Sequence, residues 1–274
     1  MSDHPIVVLS RKYPQLLLPV KNGEKDTEEY KDAVLRGKAV EGIPEFTLDC
    51  DDSLSTVSTP AGDVEVLTLI KREDFEHAIK CLAYRCEDKA IPASMGASSL
   101  SGLINWEKLR PHMESDEDFN EFTKDKNNYL DSLIILSSGP YSAVNGSVFS
   151  LDEDTWRDKS IEIRKYHELT HFISGKMYPG NKEALRDEVI ADMIGIIAAF
   201  GEYDTYMARV FLGIEGEEYR EGGRLQNYIG SGTLSDAVNR TLNLIELFDG
   251  YLKNIQKESI FNMLISIEGD RLGI

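Results

Sequence analysis

Apolar positions along this chain follow two different rhythms. Up to about residue 150 they come in short runs broken by polar, glycine or proline positions; beyond that they recur at helical spacing. In the first part, Val64, Val66, Leu67 and Leu69 predict a strand with imperfect alternation, and the unbroken run Leu133 to Leu136 predicts a buried one. Tyr141 to Leu151 predicts a further strand beyond the turn residues Ser138-Gly139-Pro140, although Asn145-Gly146 in its middle favours a turn. Residues 1–23, with Ile6-Val-Val-Leu9 and scattered prolines, predict a strand or two. Helices are expected over 24–40 (Tyr30, Ala33 and Val34 inward, ended by Gly42 and Pro44) and over 73–86, where Phe75, Ile79, Leu82 and Cys86 share a face. Two more are expected over 105–113 and 116–128, the second capped by Ser115. The Ser-, Thr- and Asp-rich stretch 51–62 and the small-residue stretch 91–102 read as loops.

The second part reads as helices. Asp152 can cap a long one reaching about Lys176, and Pro179-Gly180 stops it. Asn181 can cap the next, whose Leu185, Val189, Met193, Ile196 and Ile197 form a broad apolar stripe ending at Gly201. Further helical segments follow, broken near Gly213, Gly216, Gly222-Gly223 and Gly230; Thr233 or Ser235 can cap one with Ala237, Leu244, Ile245 and Phe248 inward, and 260–267 is apolar enough to pack on it. The sum predicts an α+β protein: a mixed N-terminal part with a small sheet over 1–150 and a helical part over 151–274, or one continuous domain.

Two acids interrupt the apolar stripe. Burying Glu188 and Asp192 without partners would cost on the order of several kcal/mol each, so that stripe needs a counterpart. One is available on the preceding helix. His167 and His171 are four apart and share a face, the spacing at which two neutral imidazoles can hold one zinc ion. Glu168, beside the first histidine, can take a proton from a water held at an open metal position. A catalytic zinc needs a third protein ligand, and Glu188 and Asp192 share a face of their own helix. One of them can bind metal while the other accepts the free ring N–H of a ligand histidine.

His167-Glu-Leu-Thr-His171 followed by Glu188-Val-Ile-Ala-Asp192 resembles the HExxH and ExxxD pair of the gluzincin zinc metallopeptidases, of thermolysin type, over about thirty residues. The resemblance implies one zinc on His167, His171 and Glu188, Glu168 as general base and Asp192 behind a histidine. It implies a peptide or protein substrate, and an edge strand for that substrate over 141–149. Relatives often place a histidine or tyrosine beyond the third ligand to stabilise the oxyanion. No histidine follows His171 here, so Tyr228 and Arg224, four apart after a double glycine, are the preferred candidates over Tyr203, Tyr206, Arg209, Tyr219 and Arg220.

Composition narrows the field. With 48 acids against 30 bases and a net charge of −18 over 274 residues, nucleic-acid backbones and anionic membranes are poor partners. Acid clusters at Asp49–Asp52, Glu114–Asp118, Asp152–Asp154 and Glu215–Glu218 lack the ordered spacing of a calcium loop and read as solvated loops and helix starts. The three cysteines form no CxxC pair, and neither a signal peptide nor a membrane span is expected, so the reading is a cytoplasmic protein with reduced thiols. His77 and His112 have no ligand-spaced partners. Beside the peptidase stand two alternatives: a zinc amidohydrolase acting on a non-peptide amide, and an interaction module whose zinc is structural or vestigial. The base-like Glu168 weighs against the second.

Overall fold

A computed structural model describes residues 3–180, 183–230, 232–253 and 259–269. The fold is α+β, and the chain divides into two compact units, residues 1–58 with 63–138 and residues 59–62 with 139–274.

The first unit carries α1 (Pro5–Lys12), α2 (Glu28–Arg36), β1 (Ser53–Thr59), β2 (Gly62–Leu69), α3 (Arg72–Leu82), β3 (Ala97–Ile104), α4 (Trp106–Leu109), α5 (Asp116–Thr123) and β4 (Leu130–Ser137). The strands form one sheet in the order β1-β2-β4-β3, with β2 parallel and β3 antiparallel to β4. Inner strands are covered on both faces, which is why Leu133 to Leu136 is a continuous apolar run rather than an alternating one. Leu67, Leu69, Leu133 and Ile135 join Phe75 and Ile79 of α3 and Ile6, Leu9, Tyr13 and Leu16 of the N-terminal segment in one core.

Three expectations for this unit are corrected. Residues 5–12 are a helix, not a strand: the His4 ring accepts from the Ile6 N–H and Pro5 opens the first turn, so local capping outweighs the β-branched run. Residues 97–102, expected as the end of a loop over 91–102, belong to the edge strand β3 (Ala97–Ile104), and Ser53 to Thr59, within the loop expected over 51–62, is the opposite edge β1. Small residues suit an edge that packs little, and ladder bonds to β4 decide the matter. Ser115 caps α5 as expected, and the helix over 24–40 is shorter than expected, from Glu28 to Arg36, with Gly37 left-handed at its end.

The second unit begins with turns. Residues 141–149, expected as a strand, form two 3₁₀ turns, Tyr141–Ala143 and Gly146–Phe149. Asn145 caps the second, and Ser142, Ala143 and Ser150 take left-handed φ of 52°, 56° and 58°, which no strand accommodates. Then come α6 (Glu153–Met177), α7 (Ala184–Phe200), α8 (Thr205–Leu212), the short strands β5 (Ile214–Glu215) and β6 (Glu218–Tyr219), α9 (Leu234–Leu252) and α10 (Ile260–Gly269). Asp152 caps α6 by accepting from the Thr155 N–H, and Thr233 caps α9. Asn181, expected to cap α7, lies outside the described residues. The β5–β6 ribbon was not anticipated; it is built across the turn at Gly216.

Helices α6 and α7 approach closely because Gly195 has no side chain: a Cβ there would stand 2.6 Å from the Ile163 carbonyl oxygen. Ile163, Leu169 and Ile173 of α6 and Val189, Met193 and Ile196 of α7 are buried in this unit. No helix among the described residues is long and apolar enough to cross a membrane.

Candidate metal centre

The α6–α7 pair brings the sequence-selected side chains together. His167 and His171, one turn apart on α6, face Glu188 in the second turn of α7, and their ligating atoms lie within 4.8 Å of one another. The two Nε2 atoms are 3.1 Å apart; His167 Nε2 is 3.5 Å from Glu188 Oε2 and His171 Nε2 is 3.4 Å from Glu188 Oε1. Tetrahedral zinc with bonds of about 2.0–2.1 Å keeps its ligand atoms roughly 3.3 Å apart, so the group fits the ion.

Behind these three side chains lies a largely buried network. Asp192, one turn beyond Glu188 and 1 % exposed, stands 2.9 Å from His167 Nδ1. The Tyr141 hydroxyl donates to the same Asp192 oxygen at 2.6 Å and lies 2.9 Å from His167 Nδ1. Arg224 donates through Nη2 to both Asp192 oxygens, at 2.8 and 2.9 Å, and to Glu188 Oε2 at 3.3 Å. Through Nη1 it reaches Tyr141 and Ser142. This network supplies the partners that the two acids in the apolar stripe demanded.

Electrostatics follow from those contacts. Burial works to raise the Glu188 carboxyl, but the hydrogen bond to His171 and the charges of His167, Arg224 and His171 overcome it and bring its pKa down to about 2. Burial likewise opposes ionisation of Asp192, and Arg224 and His167 outweigh it, holding its pKa well below the usual range. For His171, burial favours the neutral ring, while Glu188, Glu168 and Asp187 pull its pKa above the ordinary value. A field that favours an imidazolium favours any cation placed there.

Glu168 is half-buried on α6 and close enough to act electrostatically on His171. Arg224 and Tyr228 share one 3₁₀ turn, Arg224–Tyr228, that borders the centre. The turn is set by a backbone contact between two glycines: a Cβ on Gly213 would stand 2.6 Å from Gly223 Cα, and the Tyr219 hydroxyl donates to the Gly223 carbonyl at 2.6 Å. Burial raises the pKa of the Tyr228 phenol; the charge of Arg224 pulls the other way, and those of Glu188 and Asp192 add to the rise, so the phenol stays protonated. Arg224 donates to carboxylates through Nη2 and to hydroxyls through Nη1, which makes it the counter-charge of Asp192, while its buried Nε has no hydrogen-bond partner among the described residues. A cavity of about 220 Å³ opens beside His171 and Glu188, bordered by Thr170, Ser174, Tyr178 and Asp187. Among the described residues, Tyr203, Tyr206, Arg209 and Arg220 make no hydrogen bond or ion pair with His167, His171 or Glu188; Arg220 pairs with Glu215 and Arg209 with Glu246.

Tyr141 is the residue that sequence reasoning missed. Its partners stand at positions 164, 167, 192 and 224, and only the oddness of a large aromatic just after Gly139-Pro140 marks it. Comparison with curated proteins and with solved structures finds no match. Residues 2–260 match the model of a family described as a family of unknown function, DUF7005, and the chain belongs to that family.

Proposed function

We propose that the protein is a zinc-dependent metallopeptidase. The observation that carries this reading is the spacing of His167, His171 and Glu188, at 3.1, 3.4 and 3.5 Å, with Asp192 on the far nitrogen of His167. His167, His171 and Glu188 would hold the ion. When bound, zinc supplies Lewis acidity and lowers the pKa of water to about 7. Asp192 holds the His167 ring so that Nε2 faces the ligand group. Glu168 accepts a proton from the attacking water and delivers it to the leaving nitrogen. Tyr228, its phenol protonated and on the same 3₁₀ turn as Arg224, is a donor available to a developing oxyanion. The acidic chain suits a peptide rather than a nucleic acid, and three free thiols suit the cytoplasm.

The 3.1 Å contact between the rings also fits a plain N–H···N hydrogen bond, a reading under which the parent takes up no zinc. Glu168→Gln should bind zinc as the parent does and lose hydrolysis of a mixed peptide library by about 10²–10⁴-fold. Equal turnover by the variant would remove Glu168 as base. Zinc bound with no turnover of peptides by the parent would favour the amidohydrolase or the structural site.

A further inference from the structure

We propose that Tyr141 is a positioning residue for this centre: with Arg224 it fixes Asp192, and through Asp192 the tautomer and orientation of His167. The proposal rests on reading His167 as a zinc ligand. The donor logic leaves one arrangement. A guanidinium can only donate, so the Tyr141 oxygen accepts from Arg224 Nη1 at 3.0 Å. The tyrosine proton then goes to Asp192 Oδ1 at 2.6 Å, because an ionised carboxylate can only accept. His167 Nδ1 therefore faces two acceptors, Asp192 and a tyrosine oxygen whose proton is already committed, each at 2.9 Å. Nδ1 must carry the ring hydrogen, and the Nε2 lone pair is directed at His171 and Glu188.

The backbone that presents Tyr141 bears this out independently. Ser142 and Ala143 are consecutive non-glycine residues in the left-handed region, a costly conformation that persists only where the surroundings impose it. Four side chains do so here. Ser160 Oγ accepts from the Tyr141 N–H at 3.0 Å, Arg164 donates to the carbonyls of Gly139 and Pro140, Arg224 donates to Ser142 Oγ at 2.9 Å, and the Trp156 indole donates to the Val144 carbonyl at 2.7 Å. The ring itself is 4 % exposed and packs edge-on against Phe211 at 4.8 Å.

Tyr141→Phe keeps that ring and deletes one hydroxyl. In the full chain, zinc affinity is measured by competition with a chromophoric chelator, and the His167 ring N–H is followed by ¹⁵N NMR before zinc is added. The expected result is an affinity about tenfold weaker or more, with a His167 Nδ1–H that shifts and exchanges faster with water, while thermal unfolding stays cooperative. Arg224→Lys, which offers one nitrogen in place of two, should move both readouts in the same direction and serves if Tyr141→Phe does not fold. An affinity within about twofold of the parent, or an unchanged His167 signal, overturns the role of Tyr141 and leaves the metal reading standing. Failure of the parent itself to take up zinc overturns the metal reading, and the positioning role with it.

Discussion

Two places among the described residues gather metal-ligating atoms within 4.8 Å of one another: His167, His171 and Glu188, and the consecutive Asp49, Cys50 and Asp51. They differ in what brings the atoms together. In the second group the chain simply turns. Asp49 Oδ1 accepts from the Asp51 N–H at 3.1 Å, Asp49 Oδ2 faces Lys71 at 3.4 Å, and Cys50 and Asp51 are exposed. Their polar atoms already serve the turn and the solvent. In the first group the side chains come from two helices, and His167 and Glu188 are gripped from behind by Asp192, Tyr141 and Arg224. Proximity between neighbours in sequence follows from any tight turn. Proximity with buried support, across helices, requires the fold to maintain it, and that difference separates a built site from a chance cluster.

The comparison can be broken most decisively by metal content. His171→Ala should reduce bound zinc from about one per chain to almost none after dialysis, while Cys50→Ser leaves it unchanged. The reverse pattern in mass-spectrometric metal analysis would transfer the site to the turn. Stability gives the next largest contrast. Asp192→Ala strands Arg224 as a half-buried, partly uncompensated charge and should cost about 2–4 kcal/mol in urea unfolding. Asp51→Ala, at an exposed position, should stay within about 0.5 kcal/mol. If the two variants cost the same, the buried network is not holding the second unit together.

The smallest effect concerns a histidine without such support. His77 Nε2 is buried with no hydrogen-bond partner among the described residues, and Phe46 packs edge-on against the ring at 4.7 Å. Burial lowers its pKa, against the pull of Glu45 and Asp74. The unfolded chain therefore binds a proton near pH 6.5 that the folded chain still refuses, so stability falls as pH drops through that value. His77→Leu should lessen the drop in melting temperature between pH 7.5 and 5.5. An undiminished drop would assign the slope to other groups.

What could be read from the sequence was mainly what is local. Asp152, Ser115 and Thr233 act as caps within their own first turns, and the four-residue spacing that puts His167 over His171 is a property of any helix. Glu188 and Asp192 stood out because charge in an apolar stripe requires an explanation. The illegible parts are those fixed by distant partners. Ala97 to Ile104 is a strand through its bonds to β4, and Tyr141 matters through residues near 160, 190 and 224. At residues 5–12 the apolar run pointed one way while His4 and Pro5 pointed the other, and capping decided it. At 141–149 the Asn145-Gly146 pair already signalled a turn, and Asn145 does cap one.

Gly195 gives the centre a property that none of its metal-competent side chains has. The histidines ride on α6 and Glu188 on α7, so the separation of the two helices sets the span between them. That separation is fixed where the Gly195 position meets the Ile163 carbonyl oxygen, with room for a hydrogen and none for a methyl. If the centre holds an ion as proposed, the missing methyl would act as a gauge for ionic radius. A closely set pair of helices suits a small ion with short bonds, and a wider crossing would shift preference toward larger divalent ions such as cadmium.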